Sequence, residues 1–272
     1  MNDIFNNIKS YLTLINTNDL FVHTDISKGF KVAFNSSKND YIAEHIQLLL
    51  KLNCNLLIPV YNYNFSKLKV FDVVNDTSQV GVINEYFRKN FAQWQTPIPF
   101  FSVAGTGRLP EINLGHKINV FDDSSIWSHL YNNNSAIMYY GASFSCTTII
   151  HFVEEISSTL RYRYSKRFDG KVILSTNEIK NICINMHVRP LNYYLGYDWV
   201  KLEYDLFENN IIKQFKDGLT DIKIINVNKL VDFWLNKLYE NELYFLDNKS
   251  VFWVKPMLNK LKRPFELTDF EK

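Results

Sequence analysis

The chain has 272 residues, 46% hydrophobic and 21% charged, enough apolar material for one sizeable core and too much for a disordered polymer. With 30 Lys+Arg against 28 Asp+Glu the formal charge is +2, without the concentrated positive charge of a phosphate-backbone binder, so nucleic acid is not an expected partner. Three cysteines, Cys54, Cys146 and Cys183, cannot all pair, and no signal-like or long uncharged apolar run occurs; the expectation is a reduced, cytoplasmic protein with no membrane partner.

Ile4, Phe5, Ile8, Tyr11, Leu12 and Ile15 recur at helical spacing, and Asp19 to His23 reads as a short buried strand. Ser36 and Ser37 offer a cap for a helix through Tyr41, Ile42, Ile46, Leu49 and Leu50, and Leu56 to Val60 is a continuous apolar strand, which completes a βαβ unit. Val80, Ile83, Phe87 and Phe91 mark a further helix, Phe101 to Ala104 a strand ending in Gly105-Thr106-Gly107, and Ile126, Trp127 and Leu130 another helix. Ala136 to Gly141 is the next strand, and Thr147 or Thr148 is expected to cap a helix carrying Ile150, Val153 and Ile156. Alternation of this kind predicts an α/β layered domain. Beyond about residue 170 the pattern shifts to strands at 172–174, 182–188, 195–206 and 222–225, then a helix through Leu230, Phe233, Trp234 and Leu238. No linker separates this part, so residues 1–272 read as one domain, a 1–170 core with a strand-rich 171–272 extension that ends in a helix.

The stretch richest in chemistry is Cys146 to Glu155, a helix starting where a buried strand ends, the place where α/β sheets usually hold ligands. His151 falls in the first turn, where the helix dipole keeps imidazole neutral, and Glu154 and Glu155 follow at helical spacing. The pattern fits a general base with an orienting carboxylate, and equally a surface ion-pair row. Cys146 reads more readily as a buried core cysteine than as a nucleophile. Gly105-Thr106-Gly107 reads as a turn, with a phosphate loop as the weaker alternative, and His23 with Thr24, Asp25, Ser27, Lys28 and Gly29 as a ligand loop or a capped turn. The six histidines are scattered, with no Cys-x-x-Cys or His-x-x-x-His pair, so no metal is expected.

Taken in order, these segments resemble the aminoglycoside N3-acetyltransferase family, with its antibiotic N-acetyltransferase fold and its transfer of an acyl group from acyl-CoA to a sugar amine. The family's His-Ser-Ser-Leu strand end is similar to His23-Thr24-Asp25-Ile26, and its Gly-Thr-Leu-x-x-Pro strand to Asn55-Leu56-Leu57-Ile58-Pro59. Its Ser-x-x-Gly-x-x-x-Glu-x-x-Arg helix is present as Ser78, Gly81, Glu85 and Arg88, and its Ser-Val-Ala-x-x-Gly strand as Ser102 to Gly107. Phe121 to Ser125 resembles a helix entry of the family, and Thr148, His151 and Glu154 match its Thr-x-x-His-x-x-Glu helix. Where the family has Arg-Ser-x-His-Pro this chain has Gln95-Thr96-Pro97-Ile98-Pro99, and Gly29 comes one residue early.

The resemblance implies a layered α/β/α fold and an acyl-CoA-dependent N-acyltransferase using acetyl-CoA or a longer acyl-CoA as co-substrate. It implies His151 and Glu154 as catalytic residues. Acyl-CoA contacts would come from His23, Thr24, Ser27, Lys28, Ser102, Val103 and Thr148, and acceptor contacts from Ser78, Glu85 and Glu155. Backbone N–H groups near Thr147-Thr148 or Ser102-Val103 would receive the oxyanion. The partners are then acyl-CoA and an amino sugar, with a homodimer possible. A near-neutral chain suits a nucleotide-linked amino sugar better than a polycation, with Lys28, Arg108, Arg161 and Arg163 as candidate diphosphate contacts. The runner-up is an aminoglycoside N3-acetyltransferase, and the alternative outside enzymes is an inactive CoA- or sugar-binding protein.

Overall fold

The computed structural model describes residues 2–27, 37–113, 115–157, 160–217 and 220–271. In chain order these form α1 (Asn2–Leu14), β1 (Asp19–Thr24), α2 (Lys38–Leu50), β2 (Asn55–Pro59), α3 (Phe65–Leu68), β3 (Val70–Asp72), α4 (Val82–Asn90), β4 (Trp94–Gln95), β5 (Val103–Gly105) and β6 (Lys117–Asn119). There follow α5 (Ile126–Asn132), β7 (Ala136–Tyr140), α6 (Ile150–Ile156), β8 (Tyr164–Ile173), β9 (Ile179–Val188), α7 (Trp199–Glu208), β10 (Ile212–Asp217), β11 (Thr220–Asn226), α8 (Val227–Glu240) and α9 (Asn248–Leu261).

The main sheet runs β10-β11-β7-β1-β2-β5-β4. Its centre, β7, β1 and β2, is parallel, as the predicted βαβ unit requires, and antiparallel strands flank it on both sides. Period-2 alternation divides the core between its two faces. Leu20, Val22, Leu56, Ile58 and Met138 pack with Ile8, Ile46 and Phe87 of α1, α2 and α4. Phe21, Leu57, Ile137 and Tyr139 pack on the other side with Trp127, Leu230 and Trp234 of α5 and α8.

A second sheet, β3-β8-β9-β6, shares that latter core through Phe168, Val172 and Ile184. Its centre is the ten-residue hairpin β8–β9, paired from Tyr164↔Val188 to Ile173↔Ile179. The α/β layering agrees with the sequence expectation, with one error of type. The stretch expected as a strand at 195–206 is largely α7, because Asp198 caps it by accepting from the Lys201 N–H at 3.1 Å. Leu202 and Leu206 are buried while Val200 and Tyr204 are exposed, so an apparent two-residue alternation was one helical face seen every fourth residue.

Candidate active site

After β7 the chain turns at Gly141 (φ 71°) and makes a short 3-10 turn, Phe144–Cys146, capped by Ser143. Neither threonine caps α6 as expected. The N-cap is Ile149 without a side-chain bond; the Thr147 hydroxyl pairs with Tyr139 Oη at 2.6 Å, and Thr148 Oγ1 accepts from Tyr61 Oη at 3.1 Å. These bonds pin the start of α6 to the carboxyl ends of β7 and β2. Ile150, Phe152 and Val153 are then buried, and His151 and Glu154 share one side of the helix.

His151 Nδ1 lies 3.0 Å from Glu154 Oε2, with 27% of the histidine side chain exposed against 1% of the glutamate. The other Glu154 oxygen, Oε1, accepts from Tyr162 at 2.9 Å and Tyr197 at 2.7 Å. Arg163, itself 7% exposed, brings Nε to 3.0 Å from Oε2, an ion pair not aligned as a hydrogen bond, and donates from Nη2 to the Tyr197 hydroxyl. The Tyr197 hydroxyl also stands 3.4 Å from His151 Nδ1.

Burial alone would push the Glu154 carboxyl up, but Arg163, His151 and Tyr197 outweigh it and hold it at about 2. His151 is lowered below its ordinary value, first by desolvation and further by the positive charges of Arg163 and Arg189, against the opposing pull of Glu154. The neutral ring therefore comes mainly from burial beside two cations. It packs edge-on against Phe121 at 5.4 Å and Phe101 at 6.4 Å.

A groove of ≈ 700 Å³ opens at the carboxyl end of β1, lined by Thr24 to Ser27, by Lys38, Tyr41 and Ile42 of α2, by Gly81 to Ile83 at the start of α4, and by Ala142, Ser143 and Cys146. Gly81 sits at φ +65°, and a Cβ there would meet Asn84 Oδ1 at 2.7 Å, so glycine is required for α4 to begin against the Thr24–Asn84 bond of 2.6 Å. Its size and its place at the end of parallel strands suit a cofactor-sized ligand. Cys146 is not the buried core cysteine expected: its thiol reaches solvent through the groove, yet the surrounding protein pushes it up to about 12, the opposite of an activated nucleophile.

The remaining expected site residues divide sharply. Thr24 and Ser27 line the groove, and Lys28 lies outside the described residues. His23 lies beneath it, 5% exposed and stacked on Tyr139 at 5.5 Å, and burial lowers it to about 3, so it is a neutral core histidine with no free face for CoA. Ser102 and Val103 are fully buried: Ser102 Oγ donates to the Thr96 carbonyl at 2.6 Å, and the Val103 N–H donates to Thr96 Oγ1 at 2.9 Å, which removes it as an oxyanion donor.

Ser78 and Glu85 form a clasp instead of an acceptor site. Glu85 takes the Ser78 N–H at 2.8 Å and both a 2.9 Å and a 2.8 Å bond from Arg88, while Arg88 reaches the Val74 carbonyl at 3.0 Å; these partners outweigh burial and hold Glu85 at about 2. Glu155 turns away from His151 to pair with His187 and Asn119. Of the candidate diphosphate cations, Arg163 is buried on Glu154, Arg161 pairs with Glu242 at 3.4 Å, and Arg108 belongs to a different cavity at the amino ends of β1 and β2. Gly105 and Gly107 lie at that end too, where Trp94 and Asn55 fill the space a Cβ would need. Tyr162 and Tyr197 were missed, and Arg163 was expected in a different role, because no family motif extends past about residue 155 and nothing local in the sequence ties these residues to Glu154.

No helix among the described residues is long and apolar enough to cross a membrane, and no group of three or more His, Cys, Asp or Glu among them is arranged to hold a metal ion. Several solved structures share the fold. AAC-IIIb, in a binary complex with CoASH, matches with a TM-score of 0.70 at 14% identity, over 87% of this chain and 96% of its own. AAC-VIa bound to sisomicin matches at 0.65 and 14%, over 87% and 97%, and YokD from Bacillus subtilis at 0.65 and 15%, over 87% and 99%. No curated protein matches by sequence. The sequence profile described as aminoglycoside 3-N-acetyltransferase, however, covers residues 57–238, which include the α4 clasp, the His151–Glu154 pair and Tyr197. With more than half of its length under that profile, the chain belongs to the aminoglycoside 3-N-acetyltransferase family, a family of N-acetyltransferases.

Proposed function

We propose that this protein is an acyl-CoA-dependent N-acyltransferase that acylates the amino group of a nucleotide-linked amino sugar by direct transfer in a ternary complex, with His151 as general base. The observation that carries the chemistry is the division between the two nitrogens of the His151 ring. Nδ1 faces Glu154, whose low-lying carboxyl is an ionised acceptor, so Nδ1 holds the hydrogen and Nε2 keeps the lone pair.

Nε2 takes the proton of the attacking amine as the new C–N bond forms and the thioester C–S bond breaks, and the proton then passes to the departing thiolate. Glu154 stabilises the transient imidazolium and fixes the ring. Such a base contributes roughly 10²–10⁴-fold, and holding amine and thioester together about 7–11 kcal/mol. Thr24 and Ser27, on the groove wall, are the acyl-CoA contacts favoured by position, with Thr148 acting behind them through its bond to Tyr61.

The acceptor class rests on charge. The chain is at +2, and the carboxylates carried by segments next to the dyad already serve internal partners: Glu154 its cage, Glu155 His187, Asp198 the cap of α7, and Asp247 Tyr194 and the cap of α9. A polycation would find little to bind there, whereas a monoamine with an anionic tail loses nothing. The second reading, an aminoglycoside acceptor, is favoured by family membership and by the sisomicin carried by AAC-VIa.

A thiol-release assay separates them: acetyl-CoA and longer acyl-CoAs against nucleotide-linked 3- or 4-amino sugars and against kanamycin-type aminoglycosides. Turnover with the sugar nucleotides supports the first reading, and efficient turnover of aminoglycosides alone replaces it with the second. Thermal stabilisation by acetyl-CoA without thiol release from any amine would make the protein a binder.

A further inference from the structure

The antiparallel hairpin β8–β9 ends at Tyr164↔Val188, and the residues that flank this last pair on the two strands are Arg163 and Arg189. Both arginines therefore leave the hairpin at the same end, the end at which Arg163 meets Glu154 and Tyr197. Their circumstances differ. Arg163 is buried and paired with Glu154, whereas Arg189 is exposed and has no carboxylate or hydrogen-bond partner among the described residues. Its charge is nevertheless felt at the His151 ring and at the Tyr194 hydroxyl.

The surface beside it is aromatic. Tyr193 and Tyr194 are 49% and 53% exposed, and Tyr193 is braced by Trp253 at 4.9 Å, while Trp253 Nε1 donates to the Tyr194 carbonyl at 2.7 Å. Lys249 Nζ already stands 4.5 Å from the Tyr194 ring centroid and Asp247 accepts from the Tyr194 hydroxyl at 2.7 Å, so the aromatic surface left beside Arg189 is that of Tyr193, and an arginine next to a supported aromatic ring is a recognition set for an anionic group attached to a ring.

We propose that Arg189 is the specificity-determining residue of the acceptor subsite: it binds a phosphate ester carried by the amine-bearing sugar, with Tyr193 as the adjoining stacking surface. The inference rests on the N-acyltransferase reading above and deepens it. Arginine presents a planar fork to phosphate and keeps its charge at every working pH, and an unpaired one beside the base holds the amine-bearing end of the substrate within reach of Nε2. The same charge repels a polyammonium acceptor.

The test compares wild type, Arg189→Ala and Arg189→Lys with acetyl-CoA and two acceptors, a uridine-diphosphate-linked amino sugar and the methyl glycoside of the same sugar. The expected result is a KM for the phosphorylated acceptor raised roughly 10–100-fold by Arg189→Ala, with the KM for acetyl-CoA within about twofold of wild type and any change in kcat that follows from the lost charge near His151 shared by the two acceptors. Arg189→Lys should recover part of the loss. A parallel measurement titrates uridine diphosphate by calorimetry into each protein saturated with CoA, where Arg189→Ala should weaken binding at least about tenfold.

A wild type that prefers the methyl glycoside, a variant that loses both acceptors equally, or equal uridine diphosphate affinity in wild type and Arg189→Ala overturns the proposal. Absence of thiol release with every amine would sink the N-acyltransferase reading, while the calorimetric arm would still decide the anion-binding role of Arg189.

Discussion

Two histidine–carboxylate pairs stand at opposite ends of the same central strands, and their contrast shows what makes one of them a base. At the amino end, His129 Nε2 lies 2.9 Å from Asp19 Oδ2, nearly the separation of His151 from Glu154, and both line or adjoin solvent. In the His129 pair, however, Asn133 approaches the second ring nitrogen at 3.1 Å and Asn55 occupies the second carboxylate oxygen at 2.8 Å. Every polar atom of that pair has an internal partner, so it ties α5 to β1 and β2. In the His151 pair the tyrosines and the arginine all gather on the glutamate and on Nδ1, and Nε2 has no hydrogen-bond partner among the described residues. Distance between histidine and carboxylate does not distinguish the two; the environment of the remaining nitrogen does.

Breaking each pair in turn gives the largest expected contrast. His151→Gln should lower kcat by roughly 10²–10⁴-fold with the KM for acetyl-CoA nearly unchanged, whereas His129→Gln should leave kcat within a few-fold, as read by steady-state thiol release. Near wild-type kcat in the first variant removes His151 from the mechanism.

Stability should show the next effect. Arg163→Met leaves Glu154 buried without its cation and should destabilise by about 3–5 kcal/mol in denaturant titrations, while adding Glu154→Gln should recover part of that. Asp19→Asn, at the half-buried pair, should cost about 1 kcal/mol. If the two losses are equal, the contrast in burial has no energetic meaning.

pH sharpens the same comparison. The lowered His151 should place the acid limb of kcat/KM below 6.5, with activity rising as the pH rises through it. Glu154 is held at about 2, below its unfolded value of 4.5, so its stabilising contribution is complete above about 4.5 and is lost as the pH falls towards 2. Melting temperatures measured between pH 6 and pH 2 should fall accordingly, and Glu154→Gln should remove part of that slope. Smallest of all, Cys146→Ser should change kcat less than about twofold, and intact mass after acetyl-CoA exposure should show no acyl adduct, because the thiol is pushed up to about 12. An adduct on that residue would replace direct transfer with a covalent route.

The elements whose core face is set by local periodicity were legible: α1, α2, α5 and α8, the strands β1, β2 and β7, and the succession of β1, α2 and β2. Phe121 to Ser125, matched only as resembling a helix entry, does lead into α5, which Ser125 caps by accepting from the Ser128 N–H. Reading failed where the same letters satisfy two periods, as in α7, and where a short strand exists only because a distant partner pairs with it, as with β3 on β8 and β6 on β9. In the site, His151 and Glu154 were visible because i,i+3 spacing brings side chains together within one helix. Their cage was not, because Arg163 and Tyr197 arrive from other segments.

By itself, then, the sequence determined which faces are apolar and which short-range pairs can meet, because helical and strand periodicities are local properties of the backbone. Only the tertiary structure decided what each polar side chain is for. Glu85, Glu154 and Glu155 are the same residue type in helices of similar length, yet one clasps Arg88, one anchors a base and one pairs with His187. The reason is desolvation: once buried, a carboxylate must find charged or hydrogen-bonding partners wherever the fold supplies them, and those partners come from parts of the chain that no local pattern connects.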